Sequence, residues 1–279
     1  MHQALILAAG LGTRLKPLTD TMPKALVPVG GKPLLDIQIE RLMLADYDRF
    51  VVNIHHFAQQ IRDHVAQQYP PAPTNGGSLP VAHPSPTILF SDETDQLLET
   101  GGGLKKAQHL FRDDEPILIH NVDILDNVDY GWFRRQHQTD EDAVLLVSRR
   151  KTKRYLLFDS GMRLMGWKNI ETGEIKSPYP WLREAEITID ENLQALTLNP
   201  QHATPNARLF AFAFSGIHSF SPRLFQLMDR FPDRFGIIDF YLSVCHRARI
   251  VGLAKDDLRV LDVGKLDSLE QAAAFQMKS

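Results

Sequence analysis

Hydrophobic and polar positions form alternating blocks in the N-terminal part of the chain, and the blocks predict alternating strands and helices. The apolar run at residues 4–9 has the length of a buried strand. Apolar residues then recur at helical spacing from Pro33 to Ala45, a second strand-like run covers residues 50–54, and helical spacing returns at residues 57–68. This order predicts the start of a doubly wound, mostly parallel sheet with helices on both faces.

The pattern changes after residue 147. Two short runs around Ser160-Gly161 predict an antiparallel hairpin, and residues 209–218 are apolar on both faces, which predicts a central strand. Residues 170–205 are polar and rich in turn formers, and residues 69–86 are Pro-rich with two glycines, which predicts a flexible surface loop. Further predicted elements are strands at 87–90, 116–120, 143–147, 250–253 and 259–261, and helices at 101–110, 130–137, 222–230, 237–247 and 266–275.

Composition narrows the class of protein. The chain has 279 residues, of which 43% are hydrophobic and 23% charged, as in a soluble globular protein. The net charge of -3 is not that of a general nucleic-acid-binding protein, which is typically basic. The single cysteine, Cys245, excludes an internal disulfide, and neither a signal peptide nor an apolar run of membrane-spanning length is present. We therefore expect a cytoplasmic protein without membrane or nucleic-acid partners.

The first candidate site follows the first predicted strand. Gly10 and Gly12 let the backbone turn tightly there, and N–H groups in such a turn can converge on an anion. Arg14 and Lys24 add two cations, so the segment is typical of a triphosphate cradle. Its spacing differs from both the Walker pattern and the dinucleotide pattern G-x-G-x-x-G. The simpler alternative is a tight turn without a ligand.

The whole stretch resembles the signature of sugar-1-phosphate nucleotidylyltransferases, L-A-A-G-x-G-T-R-L-x-P-L-T-x-x-x-P-K-x-L-x-P-V-x-x-K-P. Every fixed position of that signature is met. The matching residues are Leu7, Ala8, Ala9, Gly10, Gly12, Thr13, Arg14, Leu15, Pro17, Leu18, Thr19, Pro23, Lys24, Leu26, Pro28, Val29, Lys32 and Pro33.

This resemblance implies a Rossmann-like α/β fold of the nucleotide-diphospho-sugar transferase type (GT-A-like), a single compact domain over 1–279. Residues 1–147 would form the nucleotide-binding half and residues 148–279 the sugar-phosphate-binding half. It implies transfer of a nucleotidyl group from a nucleoside triphosphate to a sugar 1-phosphate, with Mg²⁺ as cofactor. The chain has no room for a C-terminal left-handed β-helix, so we expect the single-domain form, as a monomer or homodimer.

The resemblance also implies roles for individual residues. Arg14, Lys24 and Asp123 would be catalytic. Asp123 and Asp262 would hold the metal, although Val122 and Lys265 replace a glycine and a threonine of the family motifs. The implied nucleotide-binding residues are Ala8, Ala9, Gly10, Gly12, Thr13, Arg14, Lys24, Glu99, Thr100, Gly101 and Gly102.

The implied sugar-phosphate contacts are Lys168, Asn169, Ser215 and Gly216. Trp167 stands where many members have a glutamate. Lys168 is therefore either a contact of the sugar phosphate or an ordinary surface lysine. Trp167 is either a platform for the sugar or an aromatic residue of the core. Asp126 and Asp129 are interpreted as a turn residue and a helix N-cap. His55, His56, His120 and His218 lack the spacing of metal ligands, and Cys245 with His246 is not a catalytic pair.

The E-T-G-G-G segment at residues 99–103 is similar to that of N-acetylmuramate 1-phosphate uridylyltransferases and of related mannose- and heptose-phosphate guanylyltransferases. Together with the short form of the chain, it favours UTP with N-acetylmuramate 1-phosphate. Three alternatives stay open. They are guanylyl transfer to mannose or heptose 1-phosphate, cytidylyl transfer to a non-sugar phosphate such as phosphocholine, and a non-catalytic regulatory homologue. The presence of all four charged residues, Arg14, Lys24, Asp123 and Asp262, argues against the last of these.

Overall fold

The structure, a computed structural model, describes residues 2–71, 85–190, 194–197 and 208–276. Most of the predicted loop at 69–86 lies outside the described residues. The strands are β1 His2–Leu7, β2 Pro28–Val29, β3 Lys32–Pro33, β4 Tyr47–Ile54, β5 Thr87–Asp92, β6 Ile117–Asn121, β7 Ile124–Asp126, β8 Ala143–Ser148, β9 Arg154–Phe158, β10 Leu164–Asn169, β11 Ile175–Lys176, β12 Ile187–Ile189, β13 Gln194–Thr197, β14 Leu209–Phe220, β15 Ile250–Ala254 and β16 Val260–Asp262.

Eight α-helices are described between these strands, and several are one to three residues shorter than their hydrophobic periodicity predicts. They are α1 Leu34–Met43, α2 Ala58–Gln68, α3 Glu99–Ala107, α4 Tyr130–Arg135, α5 Pro180–Arg183, α6 Phe225–Met228, α7 Ile237–Val244 and α8 Asp267–Gln276.

The central sheet has the order β11-β10-β9-β14-β6-β1-β4-β5. The β6-β1-β4-β5 part is parallel, as predicted for the N-terminal half. β14 runs antiparallel to β6, β8 and β9, and it lies at the centre of the sheet, as its apolar faces predict. The predicted α/β class with a mixed sheet is therefore confirmed.

Apolar side chains cover both faces of the sheet and fix the helices to it. On one face, Leu34 and Leu35 of α1, Ile61 of α2 and Phe133 of α4 are fully buried. On the other face, α3, α6 and α7 bury a second cluster in which Phe240 and Tyr241 are fully enclosed. Burial on this scale contributes about 2 kcal/mol for each large apolar side chain. The two layers hold the strand ends, and the loops after them, in fixed positions.

One local prediction needs correction, and two others can be compared with the structure. The helix predicted to begin at the glycines 101–103 begins at Glu99, which has a positive φ of 64°, and it ends at Ala107, so Leu110 lies in a following 3₁₀ turn. Asp126 ends the short strand β7 and begins a turn as predicted, because its Oδ1 accepts from Val128 N over 2.8 Å, and its side chain is buried. Asp129 is an N-cap as predicted, since its side chain accepts from Trp132 N over 2.8 Å.

Candidate active site

The predicted triphosphate cradle leaves the C-terminal end of β1. Ala8 and Ala9 are buried, whereas residues 10–14 are largely exposed. Gly12 adopts a left-handed conformation and begins a 3₁₀ helix, Thr13–Leu15, which the fully buried Leu15 anchors. In the part of the chain that the structure describes, no N–H group of residues 10–14 donates a hydrogen bond. These N–H groups are therefore available to an anion.

The two predicted cations lie beside the two predicted metal carboxylates. Lys24 is buried and its ammonium group forms an ion pair with Asp123 Oδ2. Arg14 is half exposed, and its Nη2 lies 3.7 Å from Asp262 Oδ2. Each carboxylate thus has one basic partner from the cradle, which brings all four predicted residues into one site.

The two carboxylates meet because β7 and β16 form an antiparallel ribbon. Asp262 pairs with Ile124, the residue after Asp123. Beyond that pair, Val263 N donates to Asp123 O over 2.8 Å. Gly264 follows, and a Cβ atom there would lie 2.6 Å from both Arg14 Nη2 and Asp262 Oδ1. Residues from opposite ends of the chain are therefore adjacent, as the resemblance implied.

A buried polar network lies under the turn that carries Asp123. Asp126 accepts two hydrogen bonds from Arg41, at 2.9 and 3.1 Å, and one from Tyr130 OH at 2.8 Å. His120 Nε2 lies 3.1 Å from the same carboxylate. Burial raises the pKa of Asp126, but the hydrogen bonds and charges of His120 and Arg41 outweigh it and hold that pKa far below its usual range. This network fixes both ends of the 121–126 segment.

The donor set at this site suits Mg²⁺. Asp123 and Asp262 supply two carboxylates at one edge of the sheet, and Mg²⁺ in such sites takes one or two carboxylates together with substrate phosphates. Within residues 2–71, 85–190 and 208–276, no set of three or more His, Cys, Asp or Glu side chains forms a cage of protein ligands. A cation bound here would therefore depend on substrate oxygens for the rest of its shell.

The four residues predicted to contact the nucleobase lie against residues 233–237. Gly101 N and Gly102 N both donate to Phe235 O, at 2.9 and 3.1 Å. Thr100 Oγ1 accepts from Ile237 N, and Glu99 pairs with Arg234 at 2.9 Å. A Cβ atom on Gly102 would lie 2.0 Å from the Asp233 carbonyl oxygen, so this approach requires glycine. Their role as nucleobase contacts stays a prediction.

Ser215 and Gly216 form an irregularity in β14, opposite the end of β6. Ser215 is buried, and its Oγ donates to Leu146 O over 2.7 Å. Gly216 has φ 85°, and a Cβ atom there would lie 2.9 Å from Asn121 Nδ2. These two residues therefore lie beside the segment that leads to Asp123. Whether they contact a sugar stays a prediction.

Lys168 and Asn169 point to opposite faces of β10. Lys168 is only 9% exposed, which rules out the alternative of a surface lysine. It lines a cleft of about 670 Å³ together with Arg149, Lys151, Tyr155 and Thr188. Among the described residues, the Lys168 ammonium group has no ion-pair partner in this cleft. A buried cation that faces open space favours an anionic ligand.

Asn169 and Trp167 line a different cleft, on the α7 side of the sheet, with a volume of about 510 Å³. Asn169 Oδ1 accepts from Glu171 N over 2.9 Å, so this side chain closes the turn between β10 and β11. Trp167 packs partly against the core of α7, and Lys176 Nζ lies 5.3 Å from its ring centroid. Lys168 and Asn169 therefore cannot contact the same atom of a ligand from within one cleft.

Sequence reasoning missed Asn53 and Glu93, which join the cradle to the start of α3. Asn53 Oδ1 accepts from Ala8 N over 2.6 Å, and Asn53 Nδ2 donates to Glu93 Oε1 over 2.7 Å. A polar residue near the end of the apolar run Phe50–Ile54 was the available signal for Asn53. Glu93 lies in a polar segment, S-D-E-T-D, that gives no sign of its burial.

Comparison with known proteins identifies the family of the chain. The family model described as nucleotidyl transferase matches residues 3–157, more than half of the chain. The chain belongs to the nucleotidyl transferase family. The match covers the cradle, Lys24 and Asp123, whereas Asp262 lies beyond it.

Two curated members of the nucleotidyl transferase family are similar to part of the chain. N-acetylmuramate alpha-1-phosphate uridylyltransferase from Caulobacter vibrioides is 42% identical over 120 residues, 43% of this chain and 45% of the relative. The protein of the same name from Neisseria meningitidis serogroup B is 37% identical over 128 residues, 46% and 49% of the two chains. The chain thus spans about half the length of the curated relatives it matches.

The fold also extends over the rest of the chain. The crystal structure of a putative glucose-1-phosphate thymidylyltransferase from Bacillus anthracis, in complex with a sucrose, has a TM-score of 0.70 and 14% identity. The similarity covers 98% of this chain and 94% of that one. The fold of this nucleotidyl transferase is therefore that of the family over nearly its whole length. No helix among the described residues has both the length and the apolar character needed to cross a membrane.

Proposed function

We propose that this nucleotidyl transferase transfers a nucleotidyl group from a nucleoside triphosphate to a sugar 1-phosphate, and that its substrates are UTP and N-acetylmuramate 1-phosphate. The observation that carries the proposal is the pairing of Lys24 with Asp123 and of Arg14 with Asp262 at the edge of an open glycine turn. This arrangement offers both the cations and the carboxylates that a triphosphate with Mg²⁺ requires.

The reaction joins two anions. A phosphate oxygen of the sugar 1-phosphate attacks the α-phosphorus, the bond from that phosphorus to its bridging oxygen breaks, and pyrophosphate leaves. The attacking oxygen is already ionised, so no general base is required. Catalysis then depends on positioning and charge neutralisation.

The four charged residues change partners in this proposal. Lys24 and Arg14 neutralise Asp123 and Asp262 in the free protein. When phosphate oxygens take over the two cations, Lys24 at the α-phosphate and Arg14 at the departing pyrophosphate, both carboxylates become available as oxygen ligands. A bound Mg²⁺ would polarise the phosphoryl oxygens and offset their negative charge. The buried position of Lys24 strengthens its field at the substrate, because little water screens it.

The cleft around Lys168 supports an anionic acceptor. Arg149, Lys151 and Asp190 line the same cleft, so basic residues outnumber acidic ones among its described lining residues. N-acetylmuramate 1-phosphate carries a carboxylate besides its phosphate, and such a cleft suits an acceptor with two anionic groups. The two similar uridylyltransferases bear that substrate in their names.

The test is pyrophosphate release, measured with each of the four nucleoside triphosphates and a panel of acceptors in the presence of Mg²⁺. We expect the highest kcat/KM with UTP and N-acetylmuramate 1-phosphate. N-acetylglucosamine 1-phosphate, which lacks the carboxylate, is the matched control, and mannose 1-phosphate with GTP tests the main alternative. Absence of turnover with every sugar 1-phosphate contradicts the proposal.

A further inference from the structure

Two buried side chains form a hydrogen-bonded bridge between the end of β1 and the start of α3. Asn53 is 3% exposed and Glu93 is fully buried. Asn53 Oδ1 accepts from Ala8 N over 2.6 Å and from Ala9 N over 3.2 Å. Asn53 Nδ2 donates to Glu93 Oε1 over 2.7 Å, and Glu93 Oε2 accepts from Leu98 N over 3.0 Å.

The bridge is held tightly on the Glu93 side. Glu93 N donates to Ile54 O over 2.7 Å, and its carbonyl oxygen lies 2.6 Å from His55 Nδ1. A Cβ atom on Gly103 of α3 would lie 2.6 Å from Glu93 Oε1, so the helix packs directly onto the carboxylate. Burial raises the pKa of the Glu93 carboxyl, although the hydrogen bonds from Leu98 and Asn53 oppose this change. A group enclosed in this way cannot move without displacing α3.

The bridge connects the two ends of the predicted nucleotide site. Ala8 and Ala9 lead directly into the glycine turn at residues 10–14, and Leu98 immediately precedes Glu99–Gly102. A nucleoside triphosphate that reaches from the turn to the nucleobase segment therefore binds with an affinity that depends on the distance between these two segments.

We propose that Asn53 and Glu93 are positioning residues that set this distance and thereby determine the affinity for the nucleoside triphosphate. The proposal rests on the nucleotide site of the proposed function. Neither residue needs to touch the substrate, since both act through backbone N–H groups.

The donor and acceptor pattern of the bridge allows a sharp test. Asn53→Asp places a second carboxyl group opposite Glu93, so the two oxygens share a hydrogen bond only if the pair takes up a proton. In Glu93→Gln, the side-chain N–H₂ group of the glutamine faces a donor in either orientation of the amide. That donor is Asn53 Nδ2 in one orientation and Leu98 N in the other. In the double variant N53D/E93Q, the aspartate accepts from Ala8, Ala9 and the glutamine, and the glutamine oxygen accepts from Leu98. All four hydrogen bonds are restored, and the negative charge moves from residue 93 to residue 53.

The experiment measures Kd for UTP and GTP with Mg²⁺ by calorimetric titration of the wild type, both single variants and the double variant. We expect each single variant to bind its preferred nucleotide about tenfold more weakly or worse, because a buried polar group loses its partner. We expect the double variant to recover to within about threefold of the wild type. The melting temperature is measured in parallel.

Single variants that lower the melting temperature but keep the wild-type Kd would overturn the proposal, because the bridge would then be merely structural. A double variant that binds no better than the singles would overturn it as well. Failure of the proposed function looks different. It appears as nucleotide binding without pyrophosphate release by the wild type, and the Kd values of the four proteins still test the bridge.

Discussion

Val263 donates its backbone N–H to the carbonyl oxygen of Asp123 over 2.8 Å, and this bond continues the pairing of β7 with β16 into the site. Because the bond joins backbone atoms, it does not depend on the side chain of Asp123 or of Asp262. The carboxylates of Asp123 and Asp262 can therefore be changed without loss of the ribbon that brings them together.

Asp123→Asn is expected to lower turnover at least about 100-fold while the fold is retained, because the charge that Lys24 and a metal require is lost but the backbone pairing remains. Pyrophosphate release and the melting temperature are the measurements. Asp257→Asn is the matched control, since it removes a carboxylate from an exposed ion pair with Lys255. Near-normal turnover in the Asp123 variant contradicts its assignment.

Arg14→Met is expected to reduce kcat/KM by about tenfold to 100-fold and to leave the melting temperature almost unchanged. Arg14 is half exposed and its ion pair with Asp262 is long, at 3.7 Å, so it contributes little to stability. Lys16→Met is the control, because Lys16 is an exposed cation in the same loop, paired with Asp20 at 2.9 Å. Equal kinetic losses in the two variants would show that only the general charge of the loop matters.

Gly216→Ala is expected to lower the free energy of unfolding by about 1–3 kcal/mol, because it strains the left-handed backbone and brings Cβ to 2.9 Å from Asn121 Nδ2. Gly173→Ala is the control. Gly173 has φ 76° but no atom within 4 Å of an added Cβ, so only the backbone strain remains. Urea unfolding of both variants separates the contribution of the backbone strain from that of the contact with Asn121. Equal losses of unfolding free energy in the two variants would mean that the Asn121 side chain moves aside without destabilising the protein.

The stability of the protein is expected to fall with acid through His218. Burial, together with the nearby His120, lowers the pKa of His218 to about 3. Between the ordinary histidine pKa of about 6.5 and this value, only the unfolded chain takes up the proton. The free energy of unfolding therefore decreases as pH falls through that window, by about 1.4 kcal/mol per pH unit for this one group.

His218→Gln removes this titration but keeps a polar partner near Tyr241 OH, which lies 2.7 Å from His218 Nδ1. Urea unfolding between pH 4 and pH 6.5 measures the slope for the wild type and for the variant. We expect the two slopes to differ by about one proton. Identical slopes contradict the assignment, since all other titrating groups are common to both proteins.

The sequence predicted the parts of the fold that depend on local periodicity. The first strands and helices, the hairpin at Ser160-Gly161 and the central position of β14 all have apolar patterns that tertiary contacts reinforce. The signature from Leu7 to Pro33 also led to Asp123 and Asp262, and the structure places both beside the cradle.

Contacts between distant polar residues could not be predicted in the same way. Asp126 has the composition and position of a turn residue, and only the fold brings Arg41, His120 and Tyr130 around it. Lys168 likewise looked as much like a surface residue as like a ligand. β9 pairs with β10 beside Lys168, and residues of β12 line the same cleft; no local pattern encodes these contacts between distant segments.

β14 is one continuous strand of 12 residues. Its C-terminal part is hydrogen-bonded to β6 and β8, and its N-terminal part to β9 and β13. The regions proposed to hold the nucleotide and the acceptor therefore share a backbone. Because β8 pairs with β14 on both sides of the irregularity at Ser215 and Gly216, the two regions cannot hinge apart there without breaking strand pairing. Any closure around the substrates must come from the loops at the sheet edge. The distance between the two proposed binding regions is therefore fixed by the length and pairing of β14.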